Sequence, residues 1–97
     1  MGKIDLNVGE RIREVRTDNN LNYSQFAREL SFSGINFEHS NIRKYEMGEV
    51  LPSSYFYYAI QKIFEINLNW LICGIGDKYM YEPSDLYKYQ RNEKILK

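Results

Sequence analysis

The sequence predicts an all-α fold: a compact five-helix domain, with a further C-terminal helix beyond it. Three observations predict it. Glycine, proline and asparagine cut the 97-residue chain into short segments. Within these segments apolar residues recur at three- and four-residue spacing, the period of an amphipathic helix. No segment carries the alternation or turn signal of a β-hairpin, and no internal repeat or low-complexity tract appears.

The first helix is expected over residues 8–20. Val8, Ile12 and Val15 share one face, while Arg11, Arg13, Glu14 and Arg16 lie mostly on the other, and Asn19-Asn20 ends it. The second runs from Asn22 to about Leu30. Asn22 with Gln25 three positions on is a capping box, and Phe26, Ala27 and Leu30 form its apolar stripe. Serine, glycine and asparagine cluster over 31–36, a loop that Phe32 and Ile35 would pin to the core. The third helix spans 38–47 with Ile42 and Tyr45 inward, and Gly48 supplies a left-handed stop. Pro52-Ser53-Ser54 starts a fourth helix over 54–65. Phe56, Ile60, Ile63 and Phe64 make its inner face, and Tyr55, Tyr57 and Tyr58 surround them as a surplus suited to an interface. Asn67 caps a short fifth helix, 68–73, ended by Gly74 and anchored by Trp70 and Leu71. Residues 79–83 read as irregular, and 85–96 as a polar helix.

Composition narrows the function classes. A chain of this length makes about one domain with one modest core. The single cysteine, Cys73, can form neither an internal disulfide nor a cysteine-cluster metal site, which fits a cytoplasmic location. It sits in an apolar helix end and is expected as a buried thiol. No apolar run approaches the roughly 18 residues that span a bilayer, and the opening residues do not read as a secretory signal. The sequon Asn22-Tyr23-Ser24 is therefore read as chance. Catalysis has little to stand on, because Cys73 and His39 are the only nucleophile–base pair and no carboxylates are spaced for a metal or hydrolytic site. Gly74-Ile75-Gly76 has no preceding strand, so it is not a dinucleotide loop. The expectation is a non-enzyme without cofactor, metal or membrane attachment. Thirteen basic and thirteen acidic residues give zero net charge, which weighs against nucleic-acid binding unless the cations share a face.

Three stretches nevertheless carry a resemblance. Val8-Gly9-Glu10-Arg11-Ile12-Arg13-Glu14-Val15-Arg16 resembles the opening helix of the lambda-repressor and Cro family of helix-turn-helix proteins, the xenobiotic-response-element type. Ser40-Asn41-Ile42-Arg43-Lys44-Tyr45-Glu46-Met47-Gly48, followed by Pro52-Ser53, is similar to the second half of that family's recognition helix, its glycine stop and the next helix start. Asn67-Leu68-Asn69-Trp70-Leu71-Ile72-Cys73-Gly74-Ile75-Gly76-Asp77 resembles its closing helix. The resemblance covers residues 8–77. One departure is that Leu30 and Ile42 stand twelve positions apart, further than the family's tight turn spans, so an insertion is expected within residues 31–37.

The resemblance implies a DNA-binding domain at 1–78, with 79–97 as a dimerisation helix or linker. A recognition helix reads base edges from polar residues near its N-terminal end. His39, Ser40, Asn41, Arg43 and Lys44 are the candidate base contacts; Arg43 suits guanine and Asn41 adenine. Glu38 is either the N-cap or an acceptor for cytosine, and it repels phosphate. Backbone contacts are expected from Asn22, Tyr23 and Ser24 at the start of helix two, where free N–H groups suit an anion, and from Arg28, Arg11 and Arg13 on the flanks. The resemblance itself matches Tyr23 and Ser24 to positions that touch the DNA backbone. The expected function is a sequence-specific regulator, a phage or mobile-element type repressor, binding double-stranded DNA as a homodimer on a pseudo-palindromic operator. Helix five and residues 85–96 are the expected dimer interfaces. The alternative is a protein-interaction module on the same fold, antitoxin-like or anti-repressor, binding a protein partner with weak or no DNA binding; zero net charge, Glu38 and the insertion favour it.

Overall fold

The computed structural model describes residues 7–80. They form four α-helices, α1 (Val8–Asp18), α2 (Tyr23–Ser31), α3 (His39–Met47) and α4 (Ser54–Phe64), and a single wide turn of π-type helix, α5 (Asn69–Cys73). The expected helix over 85–96, like most of the 79–97 extension, lies outside the described residues.

Each helix starts and stops for a local reason. Asn22 Oδ1 accepts from the Gln25 N–H (2.8 Å) while Gln25 Oε1 accepts from the Asn22 N–H (2.9 Å), so the capping box read from the sequence closes. The Ser53 side chain caps α4 by accepting from the Phe56 N–H. Gly48 ends α3 in the left-handed region at φ 76°, a conformation that costs glycine little. α1 stops at Asp18 rather than Asn20, because Asn20 itself turns left-handed (φ 58°), and Glu65 does the same after α4. The Asn67 carboxamide accepts from the Asn69 N–H, and Leu68 already has helical backbone, so the cap and the start expected from the sequence both hold, with the π-type turn following at Asn69.

The core is a single cluster in which Ile12, Val15, Phe26, Leu30, Ile42, Phe56, Ala59, Ile60, Ile66 and Leu71 are fully enclosed. Burying each large side chain here contributes roughly 1.5–3 kcal/mol. α1 packs on α3 and α5, and α2 packs on α3 and α4. The chain then returns past α5, and an isolated antiparallel bridge, Ile66 to Tyr79, ties it back to the end of α4.

Several expectations change. Cys73 is exposed, not a buried thiol, because one π-type turn presents only Leu71 to the core and leaves its last residue outside. Trp70 is half-buried at the rim, where the Lys78 ammonium lies 5.5 Å from its ring centre. Phe32 does not pin the α2–α3 connection; it is 68% exposed. Phe37 does so instead, its ring edge-on to Phe56 at 5.6 Å. On α4, Ala59 joins Phe56 and Ile60 in the core, while Ile63 and Phe64 are half-buried.

The α1–α3 contact is unusually close. A methyl group on Gly9 would stand 2.5 Å from the Glu46 carbonyl oxygen and 2.7 Å from that of Tyr45. Both obstacles are backbone and cannot swing away. Directly beside this contact the Glu46 carboxylate is fully buried. Arg16 donates to it through Nε (2.7 Å) and Nη2 (3.0 Å), the Tyr23 hydroxyl donates at 3.2 Å, and Arg13 Nε donates at 3.4 Å. Arg16 also donates to the Leu21 carbonyl and stacks 4.2 Å over the Tyr23 ring. The hydrogen bond to Glu46, opposed by burial, raises the Arg16 pKa above its ordinary value and keeps the guanidinium charged.

This packing sets the cost of three substitutions. Gly9→Ala should lower unfolding free energy by about 2–3 kcal/mol in denaturant titration, since overpacking against backbone forces a helix to shift. Glu46→Ala should cost about 3 kcal/mol, because Arg16 and Tyr23 lose their partner. Arg13→Ala should cost under about 1 kcal/mol, because that guanidinium is 51% exposed and screened by solvent. Equal losses for the Glu46 and Arg13 variants would contradict this ranking.

A further prediction concerns alkali. Burial, with a smaller contribution from nearby Tyr45, raises the Tyr57 phenol above its ordinary value of about 10. A raised folded-state pKa gives stability that is complete below the unfolded value and lost as pH climbs through the folded one. The melting temperature should therefore fall above about pH 10, and Tyr57→Phe should flatten part of that fall. An unchanged alkaline slope in the variant would exclude Tyr57 as its source.

Candidate nucleic-acid interface

α2 and α3 pack against each other and are joined by residues 32–38. α3 is held from behind by Ile42, Tyr45 and Glu46, all buried. Tyr45 meets Phe56 edge-on at 5.0 Å, and Glu46 is tied to α1 as described. The helical period then fixes what faces out. Ser40 and Lys44, one turn apart, lie opposite the buried stripe, with Arg43 on one flank and Asn41 on the other. His39 stands at the first turn. All five are exposed. The structure thus brings together the five residues that the sequence singled out as base contacts, on one short helix.

The electrostatics of this face are simple. Among the described residues neither Arg43 nor Lys44 joins an ion pair. Glu38 is the N-cap residue of α3, exposed and with no side-chain capping bond. Its carboxylate complements the helix dipole and sets one acid at the entrance of an otherwise cationic and polar surface. On α1 two acids are neutralised: Lys78 pairs with Glu14 and with Asp18 (2.7 Å). Burial alone would lower the Lys78 pKa, but the bonds to Asp18 and Glu14 outweigh it and raise it. α1 therefore sorts its charges onto two flanks. Arg13 and Arg16 turn to α3, while Glu14 and Asp18 turn to Lys78.

The residues expected to touch a phosphate backbone divide. Ser24 and Arg28 are exposed on α2. Asn22 is exposed, but its Oδ1 is committed to the cap. Once the capping box has used the Asn22 and Gln25 N–H groups, those of Tyr23 and Ser24 are the first-turn donors left for an anion. Tyr23 is half-buried with its hydroxyl turned to Glu46, so what it presents outward is backbone. Arg11 donates through Nε to the Leu71 carbonyl (2.7 Å) and through Nη2 to that of Ile72 (3.2 Å), placing its charge at the C-terminal end of α5. That is away from α3, whose contact with α1 runs through Gly9, Arg13 and Arg16.

The α2–α3 connection is built rather than slack. The Ser33 and Gly34 N–H groups donate to the carbonyls of Leu30 and Ser31, and Gly34 turns left-handed at φ 96°. Ser33 Oγ donates to the Leu30 carbonyl and accepts from the Ile35 N–H. Phe37 then anchors the chain before α3.

Glu46 and its arginine clamp were not foreseen from the sequence. The signal was present: Gly9, Arg13 and Arg16 form one i, i+4, i+7 stripe on α1, a glycine for close approach followed by two cations on the same side.

Among the described residues no helix is long and apolar enough to cross a membrane, and no three His, Cys, Asp or Glu side chains are grouped to hold a metal. Residues 9–77 match the family described as "Helix-turn-helix domain". Neither curated proteins nor solved structures give a match to the chain. The matched region spans α1 to α5 and well over half of the sequence. By that match and the α2–turn–α3 geometry together, the chain belongs to the helix-turn-helix domain family.

Proposed function

We propose that this protein is a cytoplasmic, sequence-specific DNA-binding regulator of the lambda-repressor/Cro-like type, a phage or mobile-element repressor that binds a pseudo-palindromic operator as a dimer. The observation that carries the reading is the outer face of α3. Five polar side chains project from a helix whose back is fixed in the core, and helix-turn-helix proteins insert such a helix into the major groove. Arg43 donates two parallel bonds to guanine and Asn41 pairs with adenine. Ser40 and His39 make shorter contacts nearby, and Lys44 reaches a base edge or phosphate. Ser24, Arg28 and the free N–H groups at the start of α2 set the register on the backbone. Residues 1–78 act as the reader and 79–97 as its extension, a dimerisation helix or linker. Repression then follows from occupying the promoter, with no chemical step.

The test is selection from a duplex pool randomised over about two helical turns, followed by titration of the enriched duplex at several salt concentrations. The expected result is a preferred, dyad-symmetric sequence. Arg43→Ala should cost about 1–3 kcal/mol and relax selection at one base pair per half-site. Arg28→Ala should weaken binding to all sequences alike and reduce the salt slope by about one. No binding at low salt, or binding without preference, overturns the reading. It would favour the protein-interaction module instead, which the exposed Glu38 at the head of α3 and the zero net charge support.

A further inference from the structure

Phe32 is a phenylalanine without a place in the core. Phe37 holds the dock beside Phe56, and Phe32 stands 68% exposed, more than any other large apolar side chain among the described residues. Its backbone is nonetheless fixed. It is the C-cap residue of α2, still in helical conformation (φ -67°, ψ -10°), and its N–H donates to the Glu29 carbonyl at 3.2 Å. The turn that follows is tied by the Ser33 and Gly34 N–H groups (3.0 and 2.9 Å) and by the Ser33 hydroxyl (2.7 Å). The ring is carried on a fixed support, not on a slack loop.

Helical phase places it. Ser24, Arg28 and Phe32 follow at i, i+4, i+8, all exposed, and this stripe lies opposite the buried pair Phe26 and Leu30. Phe32 therefore continues the surface that holds the expected phosphate contacts Ser24 and Arg28, at the end of α2 from which the chain passes to the head of α3. α2 and α3 pack on each other and send Phe26, Leu30 and Ile42 into one core cluster, so their outer faces look out on adjoining surface. The other residues singled out on these two faces are polar or charged. A phenyl ring among them neither donates nor accepts a hydrogen bond. Of the groups that a base pair presents in the major groove, the C5-methyl of thymine is the apolar one.

We infer that Phe32 is a specificity-determining residue that packs against a thymine methyl group in each half-site. The inference rests on the DNA reading and adds to it a base contact from α2, outside the recognition helix. Arg43 and Asn41 read by hydrogen bonds; Phe32 reads by apolar contact. A protein partner seated on the ring is the competing occupant.

Replacing thymine by deoxyuridine removes the methyl and nothing else, so the contact is testable from the DNA side, where protein folding plays no part. In the duplex that the 97-residue protein selects, each thymine is replaced in turn, and wild type and Phe32→Ala are titrated on every duplex. At the matching thymine of either half-site the wild type should lose about fourfold in affinity, the worth of one buried methyl. Phe32→Ala should bind the thymine duplex about tenfold more weakly and be indifferent to deoxyuridine at that position. Phe32→Leu should keep part of the sensitivity. Melting should not change in either variant, because the ring lies mostly outside the core. Equal sensitivity of wild type and Phe32→Ala at every thymine overturns the inference and leaves the DNA reading standing. So does an alanine variant that binds the selected duplex as tightly as wild type, the result expected if the ring serves a protein partner instead. A wild type with no preference for any duplex overturns both.

Discussion

The domain is organised around one buried carboxylate. Glu46 lies on the inner face of α3, and removing its charge from water costs several kcal/mol unless partners replace the solvent. Arg16, Arg13 and Tyr23 do so, from α1 and from the first turn of α2. Three helices are thus joined at a single point. Gly9 makes that geometry reachable, since only a residue without a side chain lets α1 approach the carbonyls of Tyr45 and Glu46. Apolar burial alone is nondirectional and would tolerate some rotation of α3. A hydrogen-bonded ion cluster does not, because rotating the helix breaks four directional bonds.

That constraint matters for the reading face. α3 has only nine residues, too short to hold itself in water. Its outward side chains have a defined direction because Ile42, Tyr45 and Glu46 are fixed from behind. On the proposed function, base recognition by Arg43 and Asn41 depends on bidentate geometry, which a loosely held helix would blur. The arginine clamp and the DNA-facing residues are therefore two sides of one element. The charge balance has the same logic. Among the described residues Glu46, Glu14 and Asp18 pair with cations of α1 and with Lys78, while Arg43 and Lys44 join no ion pair.

Local chemistry was legible in the sequence. The Asn22–Gln25 capping box, the Gly48 stop, the Ser53 start and the inward positions Ile12, Phe26, Ile42 and Phe56 all follow from rules that act within one or two turns. So does the exposure of His39, Ser40, Asn41, Arg43 and Lys44, since a single buried stripe on a short helix leaves no other place for them. What was not legible depends on contacts distant in sequence. Glu46 looks like a surface glutamate until α1 is laid against it. Arg11 looks like a free cation until the carbonyls of Leu71 and Ile72 arrive from sixty residues away. Cys73 was misplaced because an apolar neighbourhood does not reveal that α5 is a single wide turn. In the α2–α3 connection, two phenylalanines compete for one docking place beside Phe56, and spacing alone does not choose Phe37 over Phe32.

The central claim is that the Arg16–Glu46 contact, rather than general packing, fixes α3. A double-mutant cycle isolates it: Arg16→Met, Glu46→Met and the double variant, each unfolded in denaturant at neutral pH. The account predicts a coupling energy of about 2 kcal/mol, the double variant being more stable than the sum of the single losses implies. Additivity within about 0.5 kcal/mol would contradict it and return the placement of α3 to its apolar contacts alone.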